Sequence, residues 1–343
     1  MTRVAILGIG LIGTSIGLRL KREGDDEMRI VGHDRYRKPL KQAKDAGAID
    51  SYEGSAAKAV RDAEIVILAA PPQANHRLME EIAGALQRDA IVTDVGSTKA
   101  MTMKHAAEVL PSTVSFVGGH PMAGSTETGP LAADADLFEG ARWVVVAPTS
   151  AAPRAVRAVI GLVEMMGAEP MLMDAEEHDA YVAAISHLPM IVATSLYRLA
   201  RGSEAWPELS LLASNGFKDT TRLTGTEASI AFDMYVTNRG QVVHWLDRMI
   251  EVLREHRDAI ADENDEGLFK LLAETQHYYE VFRAGKIGRE SQAVGPDDGA
   301  IGGYGFSSFL MGEAIRERMA EITKNAEDRL RETEEAERTT RRI

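Results

Sequence analysis

The chain of 343 residues is 45% hydrophobic and 27% charged, has no cysteine, and sets 39 Lys and Arg against 52 Asp and Glu for a net charge of −13. That is the composition of a folded globular protein of two domains and a tail, and it excludes disulfides, thiolate catalysis and cysteine-held metal centres. The negative field argues against nucleic acid and anionic membranes as partners. With no run of about 18 uninterrupted apolar residues, no spanning helix is expected and a cytoplasmic location is.

The first element is the run RVAILG over 3–8. A secretion signal is the competing reading, but glycines at 8, 10, 13 and 17 interrupt the apolar stretch and no small-residue cleavage motif follows. Further β-branched runs alternate with helix-length spacers: RIVGHD (29–34), AEIVILAAPP (63–72), AIVTDVG (90–96), SFVGGHP (115–121) and RWVVVAP (142–148). With a helix around 153–166 and a strand near 169–173, they predict a Rossmann-type, doubly wound, mostly parallel sheet with both faces covered, a domain over 1–173. From Asp174 the texture becomes helical, with long stretches at 175–201, 227–262 and 266–285, giving an all-α second domain over 174–290. A third segment, 291–343, holds the loop signal QAVGPDDGAIGGYG (292–305) and a charged helix or frayed tail over 307–343.

GIGLIG sets Gly8, Gly10 and Gly13 in G-x-G-x-x-G spacing between a strand and a helix over 11–23. A tight turn, close approach of a pyrophosphate and close helix-to-strand packing each ask for glycine there. The helix N-terminus, with Leu11 and Ile12, offers free amides to the phosphates. Asp34 ends the second run 21 residues after Gly13, where a carboxylate accepts ribose hydroxyls and repels a 2′-phosphate. NAD is therefore favoured over NADP, although Arg35 and Arg37 stand beside that carboxylate.

Ligands bind outside the carboxyl ends of parallel strands. APP (70–72) brings Pro71 to that edge, DVGSTK (94–99) brings Ser97 and Lys99, and GGHPMAG (118–124) brings His120. His120 is expected on a loop, Lys99 as a solvated or phosphate-facing side chain, and Ser97 either near the nicotinamide or as the cap of the following helix. In EEHDAYVAAISHLPM (176–190), His178 and His187 lie nine residues apart, about 180° around a straight helix. Pro189 crowds the carbonyl of Ile185, so a kink beside His187 is expected, which suits a ligand site. NGFKDTTRLTG (215–225) offers Arg222, whose planar fork matches a carboxylate. No H-E-x-x-H spacing calls for a metal, and no G-x-S-x-G elbow for a serine hydrolase.

Together GIGLIG, DVGSTK, GGHPMAGSTETG, EEHDAYVAAISHLPM and GFKDTTRL resemble the prephenate dehydrogenase family and its arogenate dehydrogenase relatives, over roughly residues 3–285. The resemblance implies oxidative decarboxylation of prephenate to 4-hydroxyphenylpyruvate in tyrosine biosynthesis, with hydride passing to NAD. It makes His120 the acceptor of the ring hydroxyl's proton and Ser97 its assistant. Arg222 then binds a substrate carboxylate, His187 is a second active-site histidine, and the helical domain forms a homodimer. His178 and Asp179 match a family His-Asp pair to which no catalytic role is assigned. Two departures stand out. Met190 replaces the last histidine of a frequent SHLPH, so that contact lapses, and the tail lacks the βαββαβ pattern of a regulatory ACT domain. The alternatives are arogenate as substrate, another dehydrogenase on the same two-domain plan, or a non-catalytic NAD-sensing protein.

Overall fold

The computed structural model describes residues 2–24, 28–124 and 127–284. Eight strands, β1 (Arg3–Leu7), β2 (Arg29–His33), β3 (Ser51–Tyr52), β4 (Ile65–Leu68), β5 (Ile91–Asp94), β6 (Ser115–Pro121), β7 (Arg142–Val146) and β8 (Glu169–Leu172), form one sheet ordered β3-β2-β1-β4-β5-β6-β7-β8. All neighbours are parallel except β6 and β7. Between the strands run α1 (Leu11–Glu23), α2 (Arg37–Asp45), α3 (Ala56–Ala59), α4 (Pro72–Ile82), α5 (Ala100–Val109) and α6 (Pro153–Met165).

Successive residues of β1 feed opposite cores. Val4 and Ile6 pack with Ile16 and Leu20 of α1 and Val159 and Leu162 of α6, while Ala5 and Leu7 pack with Met79 and Ile82 of α4 and Ala106 of α5. A strand buried on both faces needs consecutive apolar residues, which is why RVAILG shows no polar alternation. The strand order reverses between β1 and β4, and the carboxyl ends at such a switch point are where open α/β sheets bind ligands.

After β8 come α7 (Ala175–Val182), a π turn (Ala183–His187), α8 (Leu188–Arg201), α9 (Trp206–Leu212), α10 (Asn215–Thr221), a 3-10 turn (Arg222–Gly225), α11 (Ala228–Thr237), α12 (Arg239–Ala261) and α13 (Asp265–Arg283). The chain divides into two compact units, residues 1–250 and 251–343. The sheet and α7 to α11 thus belong to one unit, and the described part of the other holds the end of α12 and α13. The glycine-rich segment 292–305 and the charged segment 307–343 lie outside the described residues.

Several expectations are corrected. β3 is only two residues long, too short to leave a pattern. β7 turns antiparallel because residues 122–141 offer only a 3-10 turn (Pro130–Ala132) among the described residues, where a parallel return needs a crossover of a dozen or more, usually helical. The stretch 227–262 is two helices, interrupted at Asn238, whose φ of −126° and ψ of 32° leave the helical region. Read through its π turn, Ala175–Arg201 is a 27-residue helix long and apolar enough to cross a membrane, contrary to the expectation of none. Polar residues scattered along it break the apolar run, and three of them, His178, Asp179 and His187, are buried in contacts within the fold.

Candidate active site

Gly8 has φ +104°, and a Cβ there would lie 2.5 Å from the backbone of Ala69 and Ala70 at the end of β4. A Cβ on Gly13 would lie 2.0 Å from the Gly8 carbonyl oxygen. These two glycines are therefore required by the protein's own packing. Gly10 differs, since a Cβ there meets nothing within 4 Å, which leaves room for a bound group. Gly10 also precedes α1 with no side-chain cap, so the amides of Leu11, Ile12 and Gly13 are available to an anion. Leu11 is buried and can contribute only through its backbone.

Asp34 accepts hydrogen bonds from the amides of Ile9 (2.9 Å) and Tyr36 (2.9 Å), tying the glycine turn to the end of β2. Each of its oxygens keeps a lone pair for a ribose hydroxyl. The Arg35 guanidinium lies over the Tyr36 ring, 4.5 Å from its centre. Pro71 is exposed as the residue before α4, on the edge that faces the turn. The open space at Gly10, the uncapped helix and the Asp34 carboxylate all fit a dinucleotide.

At the next two strand ends the backbone is drawn together by Asp94. Its carboxylate accepts from the amides of Gly96 (2.9 Å) and Gly119 (3.2 Å) and is paired with the Lys99 ammonium. A Cβ on Gly119 would lie 2.6 Å from the Asp94 carbonyl oxygen, so glycine before His120 lets β6 close on β5. Lys99 is 0% exposed, which corrects the expectation of a solvated side chain. Buried with its counter-ion, it is part of the scaffold. Ser97 is half-buried on the turn after β5 and does not cap α5, which corrects that alternative. The amides of Lys99 and Ala100 are capped instead by the Asp179 carboxylate at 2.7 and 2.9 Å. A negative charge at a helix N-terminus is favourable, and here it comes from α7.

Asp174 begins α7 by accepting from the amides of Glu176 and Glu177, which places His178 and Asp179 in the second turn. His178 is fully buried, with Nδ1 2.8 Å from Asp179 Oδ1 and Nε2 2.8 Å from His120 Nδ1. His120 lies on β6, paired opposite Val144, rather than on a loop as expected; the extended backbone continues because β7 supplies it a partner. It is half-buried, and its pKa is held well below the usual histidine range by desolvation, with His178, Lys99 and His187 adding repulsion.

Beside His187, where a kink is expected, the helix widens into the π turn over Ala183–His187. Its extra residue per turn brings His187 back toward the face that carries Asp179. His187 is fully buried. Its Nδ1 is 3.4 Å from Asn238 Nδ2, which also donates to the Asp179 carbonyl at 2.7 Å. Its Nε2 is buried with no partner among the described residues. Burial lowers its pKa to about 4, against the opposing pull of Asp179, with His178 lowering it further.

The structure thus gathers His120, His178, Asp179, His187 and Asn238 into one network beside Asp94 and Lys99. Arg222 stands outside it, exposed at the start of the 3-10 turn that packs on α8. Ser97 makes no hydrogen bond to the network. Met190 is buried in α8. Sequence reasoning left His178 and Asp179 without a role and did not single out Asn238. The adjacency of His and Asp one turn after a capping Asp was the available signal.

A family model described as prephenate dehydrogenase, nucleotide-binding domain, matches residues 16–172, and one described as prephenate dehydrogenase, dimerization domain, matches residues 174–274. The chain is 34% identical over 277 residues to the prephenate dehydrogenase of Bacillus subtilis, covering 80% of this chain and 74% of that protein. Its fold is similar to that of prephenate dehydrogenase from Aquifex aeolicus, solved with hydroxyphenyl propionate and NAD+, at a TM-score of 0.77 and 27% identity over 82% of this chain and 98% of that one. It is similar also to arogenate dehydrogenase from Synechocystis, at a TM-score of 0.69 and 27% identity over 82% of this chain and 100% of that one.

Proposed function

Because the chain belongs to the prephenate dehydrogenase family, we propose that it carries out the NAD-dependent oxidative decarboxylation of prephenate to 4-hydroxyphenylpyruvate. The observation that carries the reading is His120, kept unprotonated at the carboxyl end of β6, on the sheet edge that also bears the glycine turn. NAD supplies the hydride acceptor, and loss of carbon dioxide leaves an aromatic ring. His120 takes the proton of the ring hydroxyl as that carbon becomes carbonyl-like, a task suited to a neutral imidazole. Ser97, on the adjacent turn, hydrogen-bonds the same hydroxyl. The buried, unpaired Nε2 of His187 contacts the substrate. Arg222 offsets the charge of the dianionic substrate at close range, against the net charge of −13. Gly8, Gly10, Leu11, Ile12, Gly13, Asp34 and Pro71 hold the dinucleotide.

Arogenate is the second reading, favoured by the likeness to the Synechocystis structure. The two substrates differ by a keto group against an ammonium. Absorbance of the reduced nicotinamide with prephenate and with arogenate, each with NAD and with NADP, tests both. The fastest turnover is expected for prephenate with NAD. Preference for arogenate would transfer the assignment, and silence in all four assays would overturn dehydrogenase function. Residues 174–290 further serve as the homodimer-forming half, with the nucleotide-binding half ending at 173.

A further inference from the structure

The reaction as derived gives no task to His178 and Asp179, although both are buried and in line with the base. We propose that Asp179 and His178 are a positioning pair that fixes His120 as its Nδ1–H tautomer, so that Nε2 is the bare nitrogen offered to the substrate hydroxyl. The role of that nitrogen as base rests on the prephenate reading; the tautomer itself does not.

The assignment follows from counting donors. An ionised carboxylate only accepts. Asp179 faces three donors, the Lys99 and Ala100 amides and His178 Nδ1, at the N-terminus of α5, a setting that an acceptor-only carboxylate satisfies. His178 Nδ1 therefore carries a proton, and in the neutral ring its Nε2 has none. That nitrogen lies 2.8 Å from His120 Nδ1, a distance that requires one proton between them. His120 Nδ1 supplies it, and His120 Nε2 is left bare. When the substrate O–H bond breaks and its proton forms the Nε2–H bond, His120 becomes an imidazolium. It goes on donating from Nδ1 to His178, whose other nitrogen is held by the carboxylate. No proton moves beyond His120, and Asp179 stays ionised.

The charged and titratable groups facing His120 are His178 and Asp179 on α7, His187 on the π turn, and Lys99 with its partner Asp94 after β5. Among them the Asp179 carboxylate is the one that reaches the base through a single shared ring. Asp179 also caps α5, so its replacement would confuse packing with chemistry. His178 is the position to change.

The test uses the full-length protein, labelled with 15N-histidine and saturated with NAD. Nitrogen NMR then reads which ring atom of His120 is protonated, with the signal assigned by its loss in His120→Asn. Protonated Nδ1 and bare Nε2 are expected. In His178→Gln the amide oxygen still accepts from Nδ1–H, so the tautomer persists and kcat stays within about tenfold of the parent. In His178→Leu nothing accepts, both tautomers appear, and kcat falls about a hundredfold or more with KM and NAD affinity unchanged. A protonated Nε2 in the parent protein, or equal kcat losses in the Gln and Leu variants with the His120 tautomer unmoved, would overturn the proposal. An Nδ1-protonated His120 in a protein that leaves prephenate untouched would support the pair and overturn only the prephenate reading.

Discussion

On the proposed reading His120 meets the substrate as a neutral imidazole, its pKa lowered first by desolvation. A general base of this kind contributes about 10²–10⁴ in rate. His120→Asn should therefore lower kcat at least about a hundredfold while leaving NAD affinity, measured by fluorescence titration, unchanged. Since its pKa lies below the usual histidine value, the acid limb of the kcat/KM profile should fall below about pH 6.5. His187 makes a separate statement about stability. Its pKa drops from 6.5 in the unfolded chain to about 4 in the fold, so the unfolded state binds the extra proton as the pH is lowered. The stabilisation is fully present above about pH 6.5 and is lost as the pH falls toward 4, up to about 3 kcal/mol. Melting curves between pH 7.5 and 5 should show Tm falling, and His187→Gln should flatten that slope. An unchanged slope would remove His187 as the cause.

The turn between β1 and α1 shows how one motif divides its labour. Gly8 and Gly13 are needed because the backbone of β4 and the turn itself occupy the space a side chain would fill, whereas Gly10 borders open space. Gly13→Ala should lower Tm markedly, since a methyl group 2.0 Å from the Gly8 carbonyl oxygen forces the helix off the strand. Gly10→Ala should leave Tm nearly unchanged and weaken NAD binding about tenfold or more, as calorimetric titration would show. The reverse pattern would mean that the pyrophosphate does not lie there. The π turn has a comparable role in the helical half. Without its extra residue His187 would stand about 80° around the helix from Asp179, and Pro189, which cannot donate to the Ile185 carbonyl, accounts for the widened turn.

Within residues 1–250 the sheet edge and the helices are joined by buried or half-buried polar contacts. Asp179 caps α5, Asp233 of α11 accepts from the Gln73 amide and side chain, and the hydroxyls of Thr98 and Thr237 lie 2.9 Å apart. These bonds hold the helices against the strand ends that bear Ser97 and His120. The same helices also expose apolar side chains: Ile185 is 68% and Leu199 77% exposed. Side chains of this kind grouped on a helical half call for a covering partner, and residues 174–274 match a dimerization domain. On the homodimer reading, the double variant Ile185→Glu with Leu199→Glu should convert a dimer into a monomer in analytical ultracentrifugation, with Tm lowered through mass action. A parent protein already monomeric at micromolar concentration would overturn the homodimer.

The amino-acid sequence by itself determined the parallel core of the sheet, the glycine turn and the placing of Asp34 just after β2. All of these are written in local patterns: consecutive apolar residues, fixed glycine spacing, and a carboxylate at a set distance. Folding in three dimensions was needed to settle partners. Lys99 looked solvated because nothing near it in sequence shows that Asp94 turns back to meet it, and His178 looked idle because its ring nitrogens meet His120, 58 residues earlier, and Asp179. β7 reversed direction for want of a crossover helix, and Asn238 broke a helix that its sequence would continue. Hydrophobic pattern and turn chemistry act over a few residues and survive in a linear reading. Hydrogen-bond donors and acceptors buried in a shared site are matched across the fold, and that matching exists only once the chain has closed.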